Sequence, residues 1–295
     1  MSPDPAVAEV NRRSLRIFLL TAFLPAWLLF LAPLLLGDQG EAGRRVITIA
    51  AWSAAMWMPG IAALAATRWG EGKPLRELNL GRLGRRRFYV YGWLIPILSV
   101  LVVGLLTWLL GLGEFESTFP VIRQSLEQIP EGTVLSPALL LAAQLGLSLT
   151  LAPLINTLFA LGEELGWRGY LLPQLLPLGH RPAVLLSGIC WGVWHLPAIL
   201  QGHNYPGRPI LGTFLMILFC VLLGTFFSWL YLETRSPWAP ALSHGTVNAV
   251  GALPLLFLSG VDIIRGGTLA SLTGLLPLSL LAGALALTRQ FPKET

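Results

Sequence analysis

An all-α polytopic membrane protein, a bundle of about eight transmembrane helices, is the fold class this sequence predicts, and three observations carry the prediction. Of 295 residues, 54% are hydrophobic and only 12% charged, a balance outside that of ordinary soluble chains. The apolar residues fall into runs of about 20, the length that crosses a bilayer core. The basic residues gather beside those runs, where membrane topology and anionic headgroups explain them. The net charge of +5 and pI near 9.7 therefore predict the lipid bilayer as a partner and not nucleic acid.

The first run, residues 15–36, follows Arg12, Arg13 and Arg16 in the manner of a signal peptide. It is too long for one and lacks a small-residue cleavage pattern, so we read it as a span. The others lie near 46–67, 88–112, 136–161, 182–200, 209–232, 237–258 and 268–288. Pro25, Pro33, Pro59, Pro96 and Pro153 fall within them; a membrane helix tolerates proline when neighbours re-satisfy the freed backbone, so kinks are expected rather than breaks. Between spans, residues 68–87 carry Arg68, Lys73, Arg76, Arg82, Arg85, Arg86 and Arg87 against Glu71 and Glu77, which the positive-inside rule assigns to the cytoplasm. Residues 113–135 hold Glu114, Glu116, Glu127 and Glu131 against Arg123 and are expected outside. Both termini are then cytoplasmic, in agreement with Arg289 and Lys293 after the last span. No repeat, low-complexity tract or soluble domain interrupts the chain, which reads as a single membrane domain over residues 1–295. Cys190 and Cys220 lie in apolar runs without paired spacing, so core packing is expected of them and neither a disulfide scaffold nor a zinc ribbon.

Three polar sets interrupt the lipid-like pattern, and a charge at mid-span costs about 2.5 to 3.5 kcal/mol on insertion scales. In GEELGWRG, Glu164 and Arg168 are four apart on one helix face with the acid first, the better order for an ion pair. Glu163 points about 100° away and stays free to face the bundle interior. In CWGVWHLP, Trp191 and His195 share a face, as do His244 and Asn248 in SHGTVNA. Taken singly, boundary charges and interhelical hydrogen bonds account for each set. Taken together, a buried carboxylate, two imidazoles and an amide are parts that can activate water and stabilise an oxyanion. The motifs HExxH, GxGD and GxSG are absent. His180 and His203 fall in expected loops and receive no role, and Cys190, five residues before His195, is expected to be an inert buried thiol.

The sets EELGWR, WGVWH and HGTVN, with the contexts EELGWRGYLLPQL and YLETRSPWAPALSHGTVN, resemble the CPBP intramembrane proteases. That family comprises type II CAAX prenyl endopeptidases and bacteriocin-processing or self-immunity proteins, and its motifs EExxxR, FxxxH and HxxxN/D occur in this order. The resemblance covers about residues 135–258, the expected catalytic core. It implies an eight-helix bundle in a bacterial membrane whose active-site cavity opens to the cytoplasm, and cleavage of a peptide, prenylated protein or other membrane protein near the cytoplasmic leaflet. By the same resemblance, Glu163 and His195 orient and deprotonate a water, His244 and Asn248 stabilise the oxyanion, and Glu164 and Arg168 hold the helix geometry; since these residues lie in no short metal motif, no cofactor is expected. Trp191 departs from the family's phenylalanine; it is expected to keep an aromatic wall and alter pocket shape more than chemistry.

Two rivals follow from the same residues. Glu163, His195 and His244 are also a ligand set for catalytic zinc, and a scaffold or immunity protein could use the polar sets only to bind a partner peptide. A transporter would want paired repeats or broken helices, and the sequence has neither signal. One distance is awkward: from Arg181 at the surface, His195 lies about 21 Å along its helix, whereas His244 is roughly 10 Å from the start of its own. A fifth helix that begins below the surface or tilts strongly would reconcile them.

Overall fold

The computed structural model describes residues 10–37, 40–119, 122 and 136–287, and it is almost entirely helical. The helices are α1 (Arg12–Leu35), α2 (Gly40–Ala55), α3 (Met58–Ala65), α4 (Arg87–Leu109), α5 (Pro137–Leu149), α6 (Leu151–Gly166), α7 (His180–Trp194), α8 (Leu196–Leu200), α9 (Pro209–Thr234), α10 (Trp238–Val250) and α11 (Leu272–Leu287). A π-helical turn, Trp167–Leu171, continues α6. Two short strands, β1 (Glu114–Phe115) and β2 (Leu258–Ser259), pair antiparallel. Much of the expected external loop, including Arg123, Glu127 and Glu131, lies outside the described residues, as do Arg289 and Lys293.

Each expected span coincides with a helix or helix pair, but they are not equal in length. Among the described residues, four helical runs are long and apolar enough to cross a membrane, or five if the bent pair containing α5 and α6 counts as one. Helix α10, at the seventh expected span, has only 13 residues, with Ser243, His244, Gly245 and Thr246 buried. A helix enclosed by protein has no need to match the lipid thickness, since its polar groups are satisfied by neighbours. The lipid-like helices show the opposite pattern. Along α1, Phe18, Ala22, Ala26 and Phe30 are buried at every fourth position while Leu20, Leu24 and Leu28 stay exposed, the single inward stripe of an outer helix.

The prolines divide into two kinds. Pro25 and Pro33 lie inside a continuous α1 and Pro96 inside α4. Near the first two, the carbonyl of Ala22 accepts from Trp194 Nε1–H (3.0 Å), and that of Phe30 accepts from Trp52 Nε1–H (3.2 Å) and Gln201 Nε2–H (2.9 Å). Pro59 and Pro153 instead occupy the first turns of α3 and α6, where a missing N–H is harmless. The expected kink at Pro153 is therefore a break: the chain bends by 41° between Leu149 and Leu151.

Two glycines set the position of the acidic helix. A Cβ on Gly162 would lie 2.6 Å from the Met56 carbonyl oxygen, and one on Gly245 2.5 Å from the Thr157 nitrogen. Through these points the α2–α3 junction and α10 pack backbone to backbone on α6, the close approach small residues allow in membranes.

Candidate active site

The sequence-singled residues converge. Helix α6 supplies Glu163 and Glu164, α7 supplies Trp191, α9 packs behind them, and α10 brings His244 and Asn248. His195 stands at the junction of α7 and α8. Pro197 explains that junction, since its ring clashes with the carbonyl four residues back and it cannot donate to it. The side chain of His195 is thus carried at a helix end.

A cavity of about 830 Å³ is lined by Glu163, Trp191, His195, His244 and Asn248. Glu164 and Arg168 lie behind its wall. Arg168 Nη1–H donates to both oxygens of Glu164 (2.9 Å each), and both side chains are fully buried. The guanidinium also stacks over Trp191 (4.4 Å to the ring centroid) and Phe227 (5.2 Å), a cation–π arrangement in a desolvated place. Gly224 makes room for it, because a Cβ there would come within 2.8 Å of Arg168 Nη2. The i, i+4 spacing predicted this pair, which lies outside the lining of the cavity, whereas Glu163 lines it.

Two contacts were not legible in the sequence. His244 Nδ1 lies 2.9 Å from Glu164 Oε1; an ionised carboxylate can only accept, so Nδ1 carries the hydrogen and Nε2 is left for the cavity. Trp191 Nε1–H donates to Glu163 Oε2 at 2.7 Å. The indole is therefore more than an aromatic wall, which corrects the expectation that this departure alters shape rather than chemistry: phenylalanine has no N–H to give.

His195 Nδ1 lies 2.9 Å from the Trp191 carbonyl oxygen. A carbonyl likewise only accepts, so the neutral ring keeps its hydrogen on Nδ1 and leaves a lone pair at Nε2. Cys220, fully buried, has its Sγ 3.9 Å from the same Nδ1, a neighbour that no local spacing announced. Cys190 is half-buried. His203, given no role, lines the outer part of the cavity and packs edge-on against Trp52 (5.2 Å between ring centroids). Among the described residues no three His, Cys, Asp or Glu side chains are gathered closely enough to hold a metal ion. A zinc site at Glu163, His195 and His244 would need these side chains to move together.

The awkward depth resolves at α10. Arg181 at the start of α7 is exposed, but Ser236, Pro237 and Ala239 at the start of α10 are buried, and Trp238 Nε1–H donates to the Leu80 carbonyl oxygen (2.8 Å). Helix α10 begins beneath residues 80–84, so a short climb along it reaches the level that α7 reaches after its full length. It is the helix of His244, not that of His195, that starts below the surface.

The cavity has a direction. Glu163, Trp191, Trp194 and His244 at its floor are buried, while Ile49, His203, Asn204 and Ala252 at its rim are exposed. The rim belongs to the end opposite residues 68–87. An opening on the cytoplasmic side and a cytoplasmic 68–87 loop, both expected from the sequence, are therefore incompatible.

Comparison with known proteins identifies the same segment. Residues 145–250 match the family model described as Type II CAAX prenyl endopeptidase Rce1-like. The CAAX prenyl protease 2 of Methanococcus maripaludis is 35% identical over 81 residues, which are 25% of this chain and 29% of that protein. The match thus spans under a third of that relative, and it bears out the resemblance carried by the three polar sets.

Proposed function

We propose that this chain, with its Rce1-like segment over residues 145–250, is an intramembrane endopeptidase acting on a membrane-associated protein or peptide. The observation that carries the reading is that one cavity wall presents Glu163, His195, His244 and Asn248 together, while Glu164 and Arg168 neutralise each other behind it. The stretch 135–258 is the catalytic core of a single membrane domain.

In this mechanism a water held between Glu163 and His195 attacks the carbonyl carbon of the scissile peptide. Its proton passes to Glu163 or to Nε2 of His195, the group acting as general base. Trp191 holds Glu163 in place through Oε2, and the Trp191 carbonyl holds the His195 tautomer through Nδ1. The tetrahedral oxyanion accepts hydrogen bonds from the Asn248 amide and from Nε2–H of a His244 ring that carries both hydrogens, its Nδ1–H donating to Glu164. The C–N bond then breaks as the held proton moves to the leaving nitrogen, which releases an amine and a carboxylate. No step requires a cofactor.

Glu163→Ala and His195→Ala should each abolish proteolysis while the protein still inserts and purifies, as turnover assays on purified variants will show. Retained turnover in either variant overturns the assignment and favours a peptide-binding scaffold. For the zinc rival, full activity after dialysis against a chelator, with no metal in the active protein, is the expected result.

A further inference from the structure

We propose that His203 and Asn204 form a second binding subsite in the cavity, which takes an uncharged hydrogen-bonding side chain of the bound peptide: serine, threonine, asparagine or glutamine. Its place, two to three residues from the scissile bond, rests on the protease reading.

The loop that carries them is built for one shape. Gln201 Nε2–H donates to the carbonyls of Phe30 and Pro197 (2.9 Å each), and the His203 backbone N–H donates to the Ala198 carbonyl (3.1 Å). Tyr205, fully buried, donates its hydroxyl hydrogen to the Ala270 carbonyl (2.8 Å). Between these anchors Asn204 has φ +59°, a left-handed backbone that asparagine adopts more readily than most residues. The His203 ring stands edge-on to Trp52, whose own Nε1–H is held by the Phe30 carbonyl. One carbonyl thus ties the loop and α2 together. Both side chains line the cavity, and among the described residues neither has a hydrogen-bond partner. A few polar groups fixed in an otherwise apolar cavity are what orients a ligand and selects it.

Distance and lining then define that ligand. The five residues of α8 separate His195 from the loop, a rise of about 7.5 Å at 1.5 Å per residue. An extended peptide advances about 3.3 Å per residue, so a chain cut beside Glu163 and His195 brings its second or third neighbour to His203. Ala198 on α8, and Met216 and Phe219 on α9, which packs against it, give the cavity an apolar wall. A neutral imidazole offers one N–H and one lone pair, and a carboxamide offers both kinds as well. Their complement is a group that donates and accepts, a hydroxyl or an amide. A charged side chain does not fit: among the described residues no Arg, Lys or Asp lines the cavity, whose one carboxylate is that of Glu163, so the charge would leave water without a counter-ion. An aliphatic side chain would strand both polar groups.

The test is a cleavage-site profile. The purified full chain in detergent is incubated with a mixture of peptides of random sequence, and mass spectrometry reads the residues on both sides of each new cut. At one position two or three residues from the cut, the four uncharged polar residues should exceed leucine and valine by about three- to tenfold, the worth of one or two neutral hydrogen bonds. The double variant His203→Phe, Asn204→Gly should bring that ratio to about one; phenylalanine keeps a ring against Trp52 and glycine keeps the left-handed turn. No such preference in the parent, a preference for charged residues at that distance, or a preference that survives in the double variant overturns the proposal. Should the parent cut no peptide, the protease reading fails and the subsite is tested by itself. The same mixture is then passed over the immobilised parent, whose retained peptides should be enriched in the four residues by the same factor, and the double variant should lose the enrichment. Equal retention by the two proteins overturns the subsite.

Discussion

The two ends of this bundle are built from similar materials and behave oppositely. At the basic end, loop and helix termini are tied by an ion pair, an amide–carboxylate bond and an indole–carbonyl bond. At the cavity end, Asn248, Asn204 and His203 are exposed, and the buried polar groups beneath them converge on open space. The difference teaches where polar groups in a membrane bundle serve the fold and where they are kept for a ligand. On the closed side the ion pair, the amide–carboxylate bond and the indole–carbonyl bond each tie one part of the fold to another. On the cavity side a partner engages only one atom, Nδ1 of His244 or of His195, and the second ring nitrogen is spare.

The largest expected effect comes from breaking the boundary between the two sides. Glu164→Gln leaves the fully buried Arg168 without its counter-charge and loosens His244, and stranding one partner of a buried pair costs about 3 to 5 kcal/mol. Thermal melts in detergent should show a large fall for Glu164→Gln, while Glu163→Gln, which loses no cation partner, melts close to the parent. Equal melting curves would erase the distinction between a structural and a chemical carboxylate.

A change at the rim should act on rate alone. Removing one oxyanion donor costs a hundred to a thousandfold in turnover in a well-studied protease, about 2.7 to 4 kcal/mol. Asn248→Ala is therefore expected to lower kcat by roughly that factor with KM nearly unchanged. A raised KM at constant kcat would make Asn248 a substrate-backbone contact and leave the oxyanion to His244.

Trp191→Phe sharpens the comparison further, since it keeps the ring and deletes the hydrogen bond to Glu163. A hydrogen bond to a charged group is worth about 1.5 to 3 kcal/mol, so kcat should fall by roughly ten- to a hundredfold. Single-turnover kinetics that match the parent would return Trp191 to the role of a passive wall. The smallest effect belongs to the surface of the closed end. Arg85→Ala removes an ion pair whose arginine is 64% exposed, and such pairs contribute about 0 to 1 kcal/mol; activity unchanged and a melting temperature within about 2 to 4 °C are expected.

Much of this was readable along the chain, because local helix geometry repeats every few residues. Composition and run length announce a helical membrane protein, and the spacing of Glu164 and Arg168, of Trp191 and His195, and of His244 and Asn248 places each pair on one face without any knowledge of neighbours. The short α10 differs from a lipid-facing span in a way the chain does not show, since an enclosed helix and a lipid-facing one carry similar apolar runs, and the difference lies in what surrounds them.

The sequence by itself thus determined the class of protein, through composition and run length, and the pairing of the second glutamate with the arginine and which polar residues share a helix face, through 3.6 residues per turn. The tertiary structure decided what joins helices distant in sequence: the Trp191 indole on Glu163, 28 residues away, the His244 ring on Glu164, 80 residues away, and Cys220 beside His195. It also decided which end of the bundle is closed. Those contacts depend on how far each helix starts below the surface and where glycines let backbones touch, and helical periodicity within any one segment is silent about both.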